Sequence, residues 1–131
     1  MTERPRRDKA LVLIADDDSA TRELFAAYLE PEGYEVVTAS SGTAAIDDAR
    51  RFLPDLIVTD VLMPGSGGVQ TIFVLRNTPE TAEIPTIVVS GISARILGLV
   101  SAAAYLVKPV DRQVFVQTVR RCINSSVPKH T

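Results

Sequence analysis

Five short aliphatic runs recur along the 131 residues, with stretches of helical period between and after them. The first, Ala10-Leu-Val-Leu-Ile-Ala15, has no polar break, as in a strand buried on both faces of a parallel sheet. Tyr34–Ala39, Leu56-Ile-Val-Thr59, Thr86-Ile-Val-Val89 and Ala104-Tyr-Leu-Val107 are the others. Ser19 is the expected cap of a first helix, with Arg22 and Glu23 outward and Leu24, Phe25, Tyr28 and Leu29 inward. Pro31 and Gly33 end it. Ser41-Gly42 opens a second helix with an apolar stripe of Ala45, Ile46, Ala49 and Phe52. A Pro/Gly/Ser loop, Met63 to Gly68, leads to a third from about Val69 to Arg76. A short helix is expected near Ala94–Ser101. A last helix, from about Asp111 to Ile123, carries Val114, Phe115, Thr118, Val119 and Cys122 on one side.

Alternating strands and helices predict an α/β fold with one parallel sheet and helices on both faces. One domain suits this length, with residues 9–124 as its body. Residues 1–8 are expected to be a flexible, solvated arm, and 125–131 a frayed tail. The Met1 start and polar tail favour a whole protein over an excised domain.

Composition narrows the function. The formal net charge of −2 argues against a general nucleic-acid binder. Cys122 is the single cysteine, so no intrachain disulfide can form. With no apolar leader behind the charged start, the expected compartment is the cytoplasm. Ile84–Val107 holds one charged residue, Arg95, but Pro85, Gly91, Gly98 and three serines interrupt it, so no membrane span is expected there.

The polar residues at the strand ends carry the chemistry. Asp16, Asp17 and Asp18 follow the first strand, Asp60 the third, Ser90 ends the fourth, and Lys108 follows the fifth. Ligands of such sheets bind beyond the carboxyl ends of the strands, so the fold gathers these groups at one edge. Each has an ordinary reading alone: helix-start acids, a turn aspartate, a loop serine, a strand-exit lysine. Together and in this order they have a single chemical sense. Clustered carboxylates repel and tend to hold protons. Mg²⁺ relieves that repulsion and commonly bridges carboxylates to phosphate oxygens. Asp60 can then attack phosphorus, while Lys108 and the Ser90 hydroxyl stabilise the equatorial oxygens. The product is an aspartyl phosphate.

The segments LVLIADDDSATREL, DLIVTDVLMPGSGG, PTIVVSG and AYLVKPV resemble the response-regulator receiver family, over about Lys9 to Ile123. The resemblance implies a CheY-like, flavodoxin-like (βα)5 domain with strand order 2-1-3-4-5. It implies Asp60 as phosphoacceptor, with Asp16, Asp17, Asp60 and the Leu62 backbone carbonyl holding Mg²⁺, for which Mn²⁺ can substitute. Ser90 matches the switch hydroxyl and Tyr105 the switch aromatic. Lys108 matches the phosphoryl-pairing lysine, and Lys108–Pro109 a cis peptide. The implied partners are a sensor histidine kinase or histidine phosphotransfer protein and a downstream protein.

Two departures stand out. Ser66-Gly67-Gly68 replaces the common Met-Asp-Gly. The segment between Ser90 and Lys108 is about one helical turn short and unusually apolar, with Ile92, Ile96, Leu97, Leu99 and Val100. That predicts a short or irregular fourth helix, which either forms an apolar interface, for a homodimer or another partner, or buries more of itself in the fold. Apolar Leu62 and Ile92, flanking the path of attacking water in the family, predict slow hydrolysis of the phosphate.

The alternatives are a degenerate receiver that binds partners without phosphorylation, and an aspartate-nucleophile phosphatase, which would want a cap and leaves Asp60 unexplained. A receiver is no enzyme beyond its own phosphorylation and dephosphorylation. With no helix-turn-helix after Ile123, direct DNA binding is not expected. His130, the lone histidine, is not a relay residue by its place in the tail.

Overall fold

A computed structural model describes residues 7–61, 63, 68–91 and 101–126. The five aliphatic runs form β1 (Leu11–Ala15), β2 (Glu35–Ala39), β3 (Leu56–Thr59), β4 (Thr86–Ser90) and β5 (Ala104–Val107). They pair in parallel in the order β2-β1-β3-β4-β5, as the family resemblance implied. The described helices are α1 (Ser19–Leu29), α2 (Gly42–Phe52), α3 (Gly68–Arg76) and α4 (Arg112–Ser126), with a 3-10 turn at Glu30–Glu32.

Strand alternation divides the core into two layers. Val12 and Ile14 of β1 face Phe25 and Leu29 of α1 and Phe115, Val119 and Cys122 of α4. Leu13 and Ala15 face the other way, toward Ala45 and Ala49 of α2 and Leu75 of α3. Both faces of β1 are therefore dry, and its whole length is buried. Phe25 stacks on Phe115 at 4.5 Å between ring centroids, joining the helices that enclose one layer. Glu32 pairs with Arg112 and Arg120, tying the 3-10 turn to α4.

The structure corrects several local readings. Asp18, not Ser19, is the N-cap of α1, and Ser19 is its first residue. Ser41 does cap α2, its side chain accepting from the Ala44 amide at 3.1 Å. Leu24 and Val114, expected inward, are 47% and 46% exposed, because the buried strip on each helix is narrower than its apolar stripe. The last helix continues past Ile123 to Ser126. Arg7 does not belong to a solvated arm. Its guanidinium donates to the Phe52 carbonyl, to the Leu53 carbonyl at 3.3 Å and to Asp55 Oδ2 at 3.4 Å, closing the end of α2 at the amino edge of the sheet. Among the described residues no helix is long and apolar enough to cross a membrane. The expected fourth helix with its apolar interface, Leu62, Ile92, Ser66-Gly67 and His130 lie outside the described residues.

Candidate functional site

The parallel register sets the site. Ala15 of β1 is level with Thr59 of β3. Asp16 and Asp60, one residue on, therefore leave adjacent strands side by side. The backbone confirms the alignment, since the Asp60 amide donates to the Ala15 carbonyl at 3.2 Å and the Asp16 amide to the Ala39 carbonyl at 3.1 Å. Both aspartates are buried, at 2% and 6% exposure.

Lys108 reaches the pair from the end of β5. Its Nζ lies 2.7 Å from Asp16 Oδ2 and 2.8 Å from Asp60 Oδ2, so one ammonium joins two carboxylates. Burial pushes against the charged lysine, but the hydrogen bonds and charges of Asp16 and Asp60 outweigh it. They hold Lys108 above the ordinary lysine range. The Lys108–Pro109 peptide is cis. The Lys108 amide donates to the Ser90 carbonyl at 2.8 Å, and Ser90 is fully buried at the end of β4. Four of the sequence-predicted groups, Asp16, Asp60, Ser90 and Lys108, thus share the carboxyl edge of the sheet.

Asp17 lies exposed beside them. Among the described residues, no three His, Cys, Asp or Glu side chains gather as a metal site. Of the expected ligands, Asp16 and Asp60 are bridged by the Lys108 ammonium, and Asp17 follows in sequence. The donor set nevertheless fits a hard divalent cation. It is all oxygen, two buried carboxylates standing side by side with a third acid next in sequence.

Tyr105 is half-buried and packs against Val61, Ile72 and Val88. Its hydroxyl accepts from the Ala102 amide at 2.9 Å. An apolar groove of about 410 Å³ opens beside Lys108, lined by Leu24, Phe25, Tyr28, Pro109 and Val110 among others. The exposed Leu24 is one wall of it.

Two residues at the site were not singled out by sequence. Arg22, expected to point outward, is half-buried, and its guanidinium donates to the Asp16 carbonyl at 2.7 Å. Gly68 begins α3 against the end of β3, where its amide donates to the Val61 carbonyl at 3.0 Å. A Cβ at Gly68 would sit 2.0 Å from the Asp60 carbonyl oxygen. The Gly67-Gly68 pair after the proline loop was the available signal for a close backbone approach.

Comparison with known proteins agrees with this arrangement. The response regulator receiver domain family matches residues 12–120. Response regulator PleD of Caulobacter vibrioides is 39% identical over 115 residues, which are 85% of this chain and 25% of PleD. The chain thus spans a quarter of that relative. Protein PilH of Pseudomonas aeruginosa is 33% identical over 84% of this chain and 94% of its own length. Among solved structures, chemotaxis response regulator CheY4 of Vibrio cholerae superposes with a TM-score of 0.81 at 28% identity. That match covers 87% of this chain and 98% of CheY4. A fold with this strand order, an acid pair and a lysine at its carboxyl edge, and a family match over most of its length lead to one assignment: the chain belongs to the response regulator receiver domain family.

Proposed function

We propose that this receiver accepts a phosphoryl group on Asp60 from a sensor histidine kinase or a histidine phosphotransfer protein, in a Mg²⁺-dependent reaction, and thereby switches its contacts with a downstream protein. The observation that carries the reading is the buried Asp60 carboxylate 2.8 Å from Lys108 Nζ, at the edge where the parallel sheet presents its ligand site.

In the transfer, an Asp60 carboxylate oxygen forms the new O–P bond. The phosphorus–nitrogen bond of a phosphohistidine donor breaks, and its electron pair leaves with the imidazole. Lys108 balances charge on the transferring oxygens, from a position already fixed by Asp16 and Asp60. The Ser90 hydroxyl is the candidate hydrogen-bond donor to one of those oxygens, and Tyr105 the aromatic whose packing follows it. Asp16, Asp17, Asp60 and the Leu62 carbonyl would hold Mg²⁺, or Mn²⁺ in its place, and the bound ion would neutralise the carboxylates and the incoming phosphate. The groove beside Lys108 offers a donor protein apolar surface next to the acceptor. The protein turns over no external substrate in this reading and works in the cytoplasm, without contacting DNA directly.

Incubation with acetyl phosphate or phosphoramidate and Mg²⁺, followed by intact mass, tests it. The expected result is one added phosphate, absent in Asp60→Asn and absent when Mg²⁺ is chelated. A folded wild-type chain that takes up no phosphate would instead be a phosphorylation-independent binding module. Release of phosphate from an external phosphoester would make it a phosphatase.

A further inference from the structure

Three hydrogen bonds at the turn leaving β1 hold Asp16 itself. Asp16 Oδ2 meets Lys108, and Asp16 Oδ1 accepts from the Asp18 amide at 2.9 Å. The Asp18 carboxylate accepts from the Thr21 hydroxyl at 2.6 Å, which anchors the start of α1. The Asp16 carbonyl, which belongs to the peptide joining Asp16 to Asp17, is held by Arg22 at 2.7 Å. Arg22 spends its guanidinium on this backbone oxygen, and no ion pair from it to any carboxylate appears among the described residues.

We infer that Arg22 is a positioning residue for the cation site, clamping the Asp16–Asp17 peptide so that both carboxylates keep the orientation that a divalent ion requires. The inference rests on the Mg²⁺-dependent reading above and adds to it a residue that touches neither the ion nor phosphate. Its physical signature is a sign. As a bare positive charge near the acids, Arg22 repels a cation, so its removal by electrostatics alone strengthens Mg²⁺ binding. As a clamp, its removal loosens the Asp16–Asp17 turn and weakens binding. Loss of such an outer partner typically lowers metal affinity by about 10- to 100-fold. Arg22 is half-buried, and the buried anchors of α1 are Phe25 and Leu29, so methionine, which keeps the apolar stem, leaves the core intact.

The experiment titrates the full chain with MgCl₂ by calorimetry, comparing wild type, Arg22→Met and Arg22→Lys. Arg22→Met is expected to bind Mg²⁺ about tenfold more weakly, with Arg22→Lys in between because lysine retains a donor. Excess Mg²⁺ should return acetyl phosphate uptake by Arg22→Met toward the wild-type rate, since the defect lies in ion binding. Mg²⁺ binding by Arg22→Met that equals or exceeds that of wild type overturns the inference. If Arg22→Met does not fold, NMR on the wild type decides. The Arg22 guanidinium and the Asp17 amide should shift together with one Mg²⁺ midpoint, and an unmoved Arg22 signal overturns the clamp. A wild type that binds Mg²⁺ yet takes up no phosphate overturns the phosphoacceptor reading alone. A wild type that binds no Mg²⁺ overturns both.

Discussion

Replacing Gly68 with alanine measures how tightly the start of α3 is tied to Asp60. The added Cβ would lie 2.0 Å from the Asp60 carbonyl oxygen and 2.3 Å from the Val61 Cα, where ordinary contact begins at 3.4 Å. Both neighbours are backbone atoms, so neither can rotate away. The start of the helix must back off by about 1.4 Å, or the end of β3 must bend by as much. Overpacking of this kind costs about 1–3 kcal/mol. The displaced Gly68 amide also weakens its bond to the Val61 carbonyl, worth about 0.5–1.5 kcal/mol. The reduced chain entropy of alanine offsets about 0.4–1 kcal/mol of this. The net expectation is destabilisation by about 2 kcal/mol, or about 8 °C in Tm for a domain of this size.

Urea unfolding and thermal melting read the stability, and intact-mass time courses with acetyl phosphate read the site. A shift of about 1 Å in reacting groups can cost about 100-fold in rate, so phosphate uptake should fall sharply as well. Gly91→Ala is the control, because a Cβ there meets nothing within 4 Å among the described residues. Its stability should match wild type to within about 0.5 kcal/mol. A Gly68→Ala chain as stable and as readily phosphorylated as Gly91→Ala would refute the close-approach argument.

Lys108→Met leaves Asp16 and Asp60 buried without their shared ammonium, and should cost about 2–3 kcal/mol at pH 7 in urea unfolding, besides abolishing rapid phosphate uptake. The same pair makes stability depend on alkaline pH. Lys108 is raised in the folded chain, so its contribution is fully present below the unfolded lysine value and is lost as pH rises through the higher folded one. The stability gap between wild type and Lys108→Met should therefore close in strongly alkaline buffer, and a constant gap would contradict it. Arg7→Ala removes the bonds that close the end of α2 and should lower the urea midpoint by the equivalent of about 1–2 kcal/mol. Phosphate uptake should be unchanged, because Arg7 and its partners lie at the amino edge of the sheet, opposite the acids.

The strands were legible because burial on both faces leaves a local trace: an unbroken aliphatic run such as Leu11–Ala15 has few other folded uses. Their order in the sheet has no such trace, and it came from the family resemblance. Leu24 and Val114 were misplaced because helical period locates an apolar stripe but not how much of it a neighbour covers. Leu24 instead forms a wall of the groove beside Lys108. Helical period places Arg22 outward for the same reason. Its backbone position is on the polar side, and only the length of the side chain carries it back over the first turn to β1. Three consecutive aspartates look alike in sequence. The end of the strand separates them, burying Asp16 against β3 and leaving Asp17 exposed.

The register also explains why a lysine, and not a shorter or branched cation, closes the site. Thr59 pairs with Val88, and Ser90 with Val107, so Asp60 is level with Leu106 and Lys108 stands two residues beyond it. Two strand spacings, about 9.5 Å, separate β3 from β5, with about 6.6 Å of rise along the strand. A long unbranched side chain at the end of β5, meeting the Asp60 side chain part-way, covers that span. Its ammonium has three rotatable donors. Asp16 and Asp60 take two of them, and in the proposed reaction the third would meet an incoming oxygen. An arginine would arrive with a rigid planar fork suited to both oxygens of one carboxylate, not to one oxygen from each of two. The lysine at the end of β5 thus joins two acids from different strands and holds its charge at the carboxylate where the proposed phosphoryl bond would form.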